Sequence, residues 1–215
     1  MAVKGYADNI FVNCPFDDDY YELLYAVVFT VHDCGFVARC ALEDEDGGDV
    51  RIQKIQRIIR ECKYGIHDVS RTELSKGNRL PRFNMPLELG LFLGARCFGD
   101  SGQKRKKCLV LDREPYRYQQ FISDIAGQDI RAHAGDDKKL VSEVRGWLRN
   151  VSGRKNLPGG AKIWERYCEF WNDLPDLCPL RQDSCPLPIG RLLESAGSGQ
   201  REQEWPTHLN DGMQF

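Results

Sequence analysis

The sequence predicts an α/β protein in which an open parallel sheet carries helices on both faces. Short apolar runs alternate with segments of helical periodicity over residues 10–112. This alternation is typical of parallel strands joined by right-handed helical crossovers. The runs are continuously apolar, as expected for strands that are covered on both sides. Charged and turn-forming residues concentrate in the connections, which agrees with a buried sheet and exposed loops.

The periodicity places each element in turn. Strands are predicted at 10–13, 36–42, Tyr64–Asp68 and Lys107–Asp112. Helices are predicted at 20–32, 51–62, 85–98, 118–130, 138–149 and 161–174. Segment 51–62 shows the pattern most clearly, because its isoleucines recur at helical spacing with charges between them. We divide the chain into an α/β domain over residues 1–150 and a helical C-terminal extension and tail over 151–215.

Composition and charge exclude several classes of protein. The 215 residues include 30 Lys and Arg against 32 Asp and Glu, a net charge of -2. This balance does not favour nucleic acid as a partner. No apolar run approaches the roughly 20 residues of a membrane span, and the N-terminal segment lacks the apolar stretch of a secretory signal. We therefore expect a cytoplasmic protein with no membrane and no direct nucleic-acid contact.

The nine cysteines do not predict a metal site. No pair has the C-x2-C or C-x4-C spacing that would place two thiolates on one zinc ion. Most of them stand inside apolar segments, where a free cysteine behaves as a small buried hydrophobe. We expect buried thiols and no bound metal.

Candidate catalytic residues cluster between 67 and 90. Ligands of open α/β sheets bind at the carboxyl ends of the strands, and Asp68 ends the third strand. Glu88 follows in the first turns of the next helix, beside Phe83, Met85 and Leu87. Each carboxylate also has a structural interpretation. Glu88 could favour the helix N-terminus through the helix dipole, and Asp68 could close a loop as an Asx turn.

Arginines at the predicted loop edges could bind phosphate groups, since a guanidinium suits bidentate contact with phosphate. These residues are Arg39, Arg51, Arg71 and Arg82. Arg71 is preferred because it lies between the two candidate carboxylates. Each arginine could equally be a solvated surface residue. The basic run at 104–107 is interpreted as a solvated, hairpin-like turn.

An aromatic-Asn-x-Pro-x-Glu-Leu-Gly helix start at 83–90, after a strand and a serine-bearing loop, resembles the nucleoside 2-deoxyribosyltransferase-like superfamily. It also resembles the distantly related Toll/interleukin-1 receptor (TIR) domains, although Phe83 stands five residues before Glu88 where their tryptophan stands four before the glutamate. The resemblance covers about residues 8–150 and implies a flavodoxin-like sheet. It implies that Glu88 and Asp68 are catalytic, and that the turn at 11–17 closes over a base or ribose.

The residues assigned to substrate binding come from this turn and from the loop edges. They are Asn13, Pro15, Phe16, Arg39, Ser70, Arg71, Asn84 and Met85.

The resemblance implies cleavage of the bond between ribose and a base. The leading interpretation is a hydrolase that takes NAD⁺ as its substrate, needs no further cofactor, and serves as an effector in antiphage or stress defence. A nicotinamide leaving group is already cationic and needs no acid, whereas an adenine-type base would need one, with His67 or Asp68 as the nearest candidates. The alternatives are a deoxyribosyltransferase that uses the same glutamate and a non-catalytic module that binds a nucleotide signal.

An acidic, glycine-bearing loop at 43–49 occupies the place of the loop through which TIR domains assemble. The basic run at 104–107 offers charge that could meet it. We therefore expect a homo-oligomer or a complex with a defence-system partner protein; a solvated loop on a monomer is the alternative.

Overall fold

The predicted fold class is confirmed by a computed structural model that describes residues 5–43, 50–72 and 82–177. Five parallel strands form one sheet: β1 Asn9–Asn13, β2 Val37–Arg39, β3 Tyr64–Asp68, β4 Lys107–Asp112 and β5 Arg131–Ala132. The helices are α1 Tyr21–Asp33, α2 Arg51–Arg60, α3 Asn84–Phe98, α4 Asp137–Ser152 and α5 Gly160–Leu177. One-turn 3₁₀ helices occur at Asp18–Tyr20, Gln103–Arg105, Arg117–Gln120 and Ser123–Ile125.

The strand order is β2-β1-β3-β4-β5, the order of flavodoxin-like sheets. The direction of winding reverses between β1 and β3, where Asn13 lies opposite His67 in the register. At such a switch point the loops leave the sheet in opposite directions and open a crevice at the carboxyl ends of the strands. The fold therefore directs attention to the residues that follow β1 and β3.

The sheet separates two apolar layers. Side chains of a strand alternate between its faces, so Ile66 packs with α1, α4 and α5, whereas Phe11 packs with α2 and α3. A smaller cluster around Val69 and Val110 joins α3 to the segment after β4. Within the described residues, no helix combines the length and the apolar composition that crossing a membrane requires.

Helix α5 shares the core of the sheet. Tyr167 and Phe170 lie against Phe29 of α1, with ring centroids 5.6 and 5.4 Å away. The extension is thus helical as predicted, but its apolar side belongs to the main core cluster. The domain division at residue 150 falls inside α4, and the predicted tail after Leu177 lies outside the described residues.

The predicted helix at 118–130 is wrong. This segment contains two 3₁₀ turns and leads into β5, a two-residue strand that the sequence analysis missed. Ile122 has φ -139° and ψ 61°, and Gly127 has φ 92°. Both conformations are incompatible with a continuous right-handed helix. The strand at 36–42 is also shorter than predicted, because the chain turns at 41–43.

The basic run at 104–107 is only in part the solvated turn that the sequence predicted, because three of its four residues are exposed and the fourth, Lys106, is buried. Lys106 is 1% exposed. Its Nζ donates hydrogen bonds to the carbonyl oxygens of Ile59 and Cys62, which lie at the C-terminal end of α2. The ammonium also lies over the ring of Phe92 at 4.7 Å. A cation at this position complements the negative end of the α2 dipole. Lys106 therefore cannot offer its charge to the acidic loop, of which residues 44–49 lie outside the described structure.

Candidate functional site

Two polar clusters lie at the carboxyl edge of the sheet, one on each face. Strand β3 ends with His67 and Asp68, whose side chains point to opposite faces because they are consecutive in a strand. His67 joins Asn13 under α3, and we call this side the α3 face. Asp68 joins Tyr20 and His133 on the side of α1 and α4. Asp68 and Glu88, which the resemblance implies are both catalytic, therefore lie on opposite faces of the sheet.

On the α3 face, the amide of Asn13 ties the sheet to the first turn of α3. Its Nδ2 donates to the backbone oxygen of Met85 at 2.9 Å and to Nδ1 of His67 at 3.0 Å. Because this nitrogen is the donor in both contacts, Nδ1 of His67 accepts and the imidazole proton is on Nε2. Asn13 is 2% exposed. Its role in substrate binding stays a prediction, and its visible role is to position α3.

His67 is enclosed and uncharged. Burial, aided by the positive charge of Lys106, lowers the pKa of His67 to about 3. The ring stands edge-on to Phe92 with centroids 4.9 Å apart. A Cβ at position 65 would lie 2.6 Å from Nε2 of His67, so only glycine leaves room for this ring. A histidine with so low a pKa holds no acidic proton near neutral pH, which disfavours His67 as a general acid.

Glu88 is the titratable group whose environment most resembles that of a catalytic carboxylate. It is 7% exposed, and burial raises its pKa to about 7, while Arg51 at the start of α2 lowers it. Among the described residues its carboxylate has no hydrogen-bond partner. Phe83 and Leu87, which are close to it in sequence at the start of α3, are both more than half exposed. A buried, unbonded carboxylate beside exposed apolar side chains is a feature of functional sites.

On the opposite face, Asp68 is fully engaged. Its Oδ2 accepts from the hydroxyl of Tyr20 at 2.5 Å and lies 3.2 Å from Nε2 of His133. Its Oδ1 accepts from the backbone N–H of Ser70 at 2.8 Å, the Asx-turn arrangement. Burial raises the pKa of Asp68, but the contacts with His133, Ser70 and Tyr20 outweigh it and hold that pKa below its usual value. Asp68 is thus an ionised anchor, poorly suited to donate a proton.

His133 is oriented by its own loop. Its Nδ1 accepts from the backbone N–H of Gly135 at 3.0 Å, so Nε2 carries the proton that faces Asp68. The sequence analysis missed Tyr20 and His133 as partners of Asp68. The signal for His133 was weak because it follows β5, which is only two residues long.

Arg117 is a further residue that the sequence analysis missed. Its guanidinium donates to Oδ1 of Asp112 and to the backbone oxygens of Val69 and Ser70. It thereby joins the loops that follow β3 and β4. Burial raises the pKa of Asp112, and the hydrogen bonds from Arg117 offset only part of this rise. This ion pair fixes the edge of the sheet beside Ser70, which is 3% exposed.

The remaining predicted binding residues lie around the loop that follows β1. Pro15 is buried, and Phe16 is half-buried between the two apolar layers. Met85 is buried and contributes its backbone oxygen to Asn13, whereas Asn84 is exposed and forms no capping hydrogen bond, because Phe83 is the N-cap residue of α3.

Arg39 and Arg71, two of the four arginines predicted to bind phosphate, are both paired with carboxylates. Arg39 contacts Glu43 at 2.6 Å and Glu61 at 3.1 Å, and its hydrogen bond to the carboxylate of Glu43 raises the pKa of Arg39. Arg71 contacts Asp17 at 3.0 Å and Asp19 at 3.2 Å. Of these two, Arg39 lies on β2 at the edge of the sheet, while Arg71 follows β3 and lies next to the switch point.

Four of the seven described cysteines are buried, as expected for packing thiols: Cys14, Cys34, Cys40 and Cys62. Within the described ranges, no group of three or more His, Cys, Asp or Glu side chains is arranged to hold a metal ion.

Comparisons with protein-family models, with curated proteins and with solved structures find no match to this chain. The assignment of a function therefore depends on the geometry of the two clusters.

Proposed function

We propose that this chain is a nucleotide N-glycosidase that hydrolyses NAD⁺ between nicotinamide and ribose. The observation that carries the proposal is Glu88, a buried carboxylate without a hydrogen-bond partner among the described residues, with a pKa raised to about 7. Glu88 lies about one helical turn after Met85, whose backbone oxygen accepts a hydrogen bond from Asn13 at the end of β1. This is the part of an open α/β sheet where ligands bind.

The chemistry requires one carboxylate. As the C1′–N bond breaks, its electron pair leaves with nicotinamide and positive charge grows on C1′ and the ring oxygen. The Glu88 carboxylate stabilises this charge, or forms a bond to C1′ that water then replaces. The attacking water loses a proton, which a carboxylate with a pKa of about 7 accepts. The products are nicotinamide and ADP-ribose.

The state of the neighbouring groups favours a leaving group that needs no proton. The pKa values of His67 and Asp68 are both lowered, so neither residue holds an acidic proton near neutral pH. Nicotinamide leaves as a neutral molecule from a cationic substrate and needs none. A purine or pyrimidine of a deoxynucleoside benefits from protonation as it leaves. This contrast supports the hydrolysis of NAD⁺ over base exchange on deoxynucleosides.

In this proposal the protein is a cytoplasmic defence effector that assembles with copies of itself or with a partner protein, as the resemblance to TIR domains implies. The test is to incubate the purified protein with NAD⁺, and separately with 2′-deoxynucleosides with and without a second free base, and to separate the products by chromatography. Release of nicotinamide supports the proposal. Exchanged deoxynucleosides would identify a transferase, and binding of NAD⁺ without any released base would identify a non-catalytic module.

A further inference from the structure

Two arginines converge on one carboxylate at the switch point. Nη2 of Arg71 lies 3.0 Å from Oδ1 of Asp17, and Nη1 of Arg82 lies 2.7 Å from Oδ2 of the same carboxylate. Both arginines belong to the connection between β3 and α3, whereas Asp17 belongs to the loop after β1. Each oxygen of Asp17 is thus held by a different guanidinium. Asp19 adds a contact to Arg71 at 3.2 Å.

This arrangement is that of an anion held between two cations. Carboxylate and phosphate oxygens are bound by guanidinium groups in the same way. The side chain of Asp17 is 17% exposed, while those of Arg71 and Arg82 are 34% and 46% exposed. A solute can therefore reach both guanidinium groups while the carboxylate lies between them.

The pair is close to Glu88 along the chain. Arg82 precedes α3 by two residues, and Glu88 is the fifth residue of α3, about 6 Å along the helix axis from its first residue. The elements that flank the two connections are also joined, because Asn13 at the end of β1 donates to the backbone oxygen of Met85 in α3. A ligand with ribose at Glu88 and a phosphate on its 5′ carbon would place that phosphate toward Arg82.

We propose that Arg71 and Arg82 form the phosphate-binding site of the substrate, and that Asp17 is an internal anion which the phosphate displaces. The inference rests on the proposed function and narrows the substrate class to 5′-phosphorylated nucleotides, to the exclusion of free nucleosides. Because Asp17 competes for the same two arginines, it lowers the affinity of the site for phosphate. Asp17 thereby sets the substrate concentration at which the enzyme works.

The test measures binding with pyrophosphate, AMP and adenosine as probes, by calorimetry at low ionic strength. Asp17→Asn keeps the size of the side chain and removes its charge. We expect it to strengthen the binding of pyrophosphate and AMP roughly 1.5-fold to fivefold, the range of an exposed ion pair, and to leave the affinity for adenosine unchanged. Arg82→Gln is expected to weaken the binding of both phosphate-bearing probes. Glu143→Gln, which removes the half-exposed ion pair with Arg131 on β5, is the matched control and should change none of them.

Unchanged or weaker binding of pyrophosphate by folded Asp17→Asn protein would overturn the inference, as would equal affinity for AMP and adenosine. Should Asp17→Asn not fold, Asp17→Ser and Arg82→Gln provide the same comparison. The outcome is separable from that of the proposed function. If Asp17→Asn binds pyrophosphate more tightly but the protein releases no base from any nucleotide, the anion site is retained and the glycosidase function is rejected. If the protein releases base but Asp17→Asn has the wild-type affinities, the glycosidase function is retained and the anion site is rejected.

Discussion

At the scale of single residues, burial acts in opposite directions on the two titratable groups of the α3 face. It disfavours the charged form of each, so the pKa of Glu88 rises to about 7 and that of His67 falls to about 3. His67 is then a fixed neutral acceptor for Asn13. The pKa of Glu88 lies in the neutral range, so in the proposed reaction we expect this residue to couple pH to activity.

The pH profile of base release tests this assignment. The ionised form of Glu88 is the active one, so kcat/KM should rise with pH through about 7. Arg51 stabilises the ionised form, and Arg51→Gln should move the midpoint to higher pH. Arg60→Gln, at the far end of α2, is the matched control and should leave the midpoint in place. A midpoint that both variants leave unchanged would contradict the electrostatic effect of Arg51 on the pKa of Glu88.

At the scale of elements, the last two residues of β3 position loops on opposite faces of the sheet. His67 acts through Asn13 on the start of α3, and Asp68 binds Tyr20 before α1 and His133 after β5. One strand thus positions three loops through two consecutive side chains. This dual use explains why polar residues terminate an otherwise apolar strand.

Two asparagines of β1, Asn13 and Asn9, provide a test variant and a matched control for the positioning of α3. Asn13→Ala leaves two buried acceptors without a donor, and should lower the free energy of unfolding by roughly 2–4 kcal/mol. Asn9→Ala, at the other end of β1, removes one bond to the backbone oxygen of Glu61 and should cost about 1–2 kcal/mol. Only Asn13→Ala should also lower kcat, by roughly tenfold or more, because Glu88 loses its position. Urea unfolding and initial rates measure both; an equal loss of kcat in the two variants would refute a positioning role for Asn13.

The Asp68 cluster predicts a different pattern. Asp68→Asn leaves the network of Tyr20 and His133 without its charge, and should cost roughly 3–5 kcal/mol, whereas Tyr20→Phe removes one hydrogen bond and should cost about 2 kcal/mol. Because the pKa of Asp68 is held below its usual value, its stabilisation is present above about pH 4 and is lost as the pH falls through the lowered pKa. The difference in the free energy of unfolding between the wild type and Asp68→Asn should therefore shrink at acidic pH. In the folded fraction, KM should rise at least as much as kcat falls, and the loss of activity should be smaller than that of Glu88→Gln.

The same elements show what the sequence could and could not predict. Strands β3 and β4 were predicted with their observed bounds, because each is a continuous apolar run that ends at an aspartate. The two-residue strand β5 is too short to produce a periodic pattern. Glu88 was found through its place in a helix start after a strand. The partners of Asp68 and Asp17 come from distant parts of the chain, and no local pattern predicts such contacts.

At the scale of the whole molecule, the winding of the sheet brings the candidate residues together. The reversal between β1 and β3 juxtaposes the loop at Asp17 with the connection that leads to Glu88. The opposite layer, built by α1, α4 and α5, is largely apolar, with the Asp68 cluster at the carboxyl edge of the sheet. The chain from the end of β3 into α3 carries both the arginine pair and the buried carboxylate of Glu88.

The most direct test of this account compares base release from NAD⁺ by the wild type and by Glu88→Gln. The amide keeps the size of the side chain but removes the charge that stabilises the transition state, so the rate should fall by about 100-fold or more. The pKa of Glu88 lies above the ordinary glutamate value of 4.5, so its stabilising contribution is full below about pH 4.5 and is lost as the pH rises through about 7. Glu88→Gln should therefore be folded and no less stable than the wild type at pH 8. A folded Glu88→Gln protein that releases nicotinamide at the wild-type rate would contradict the account.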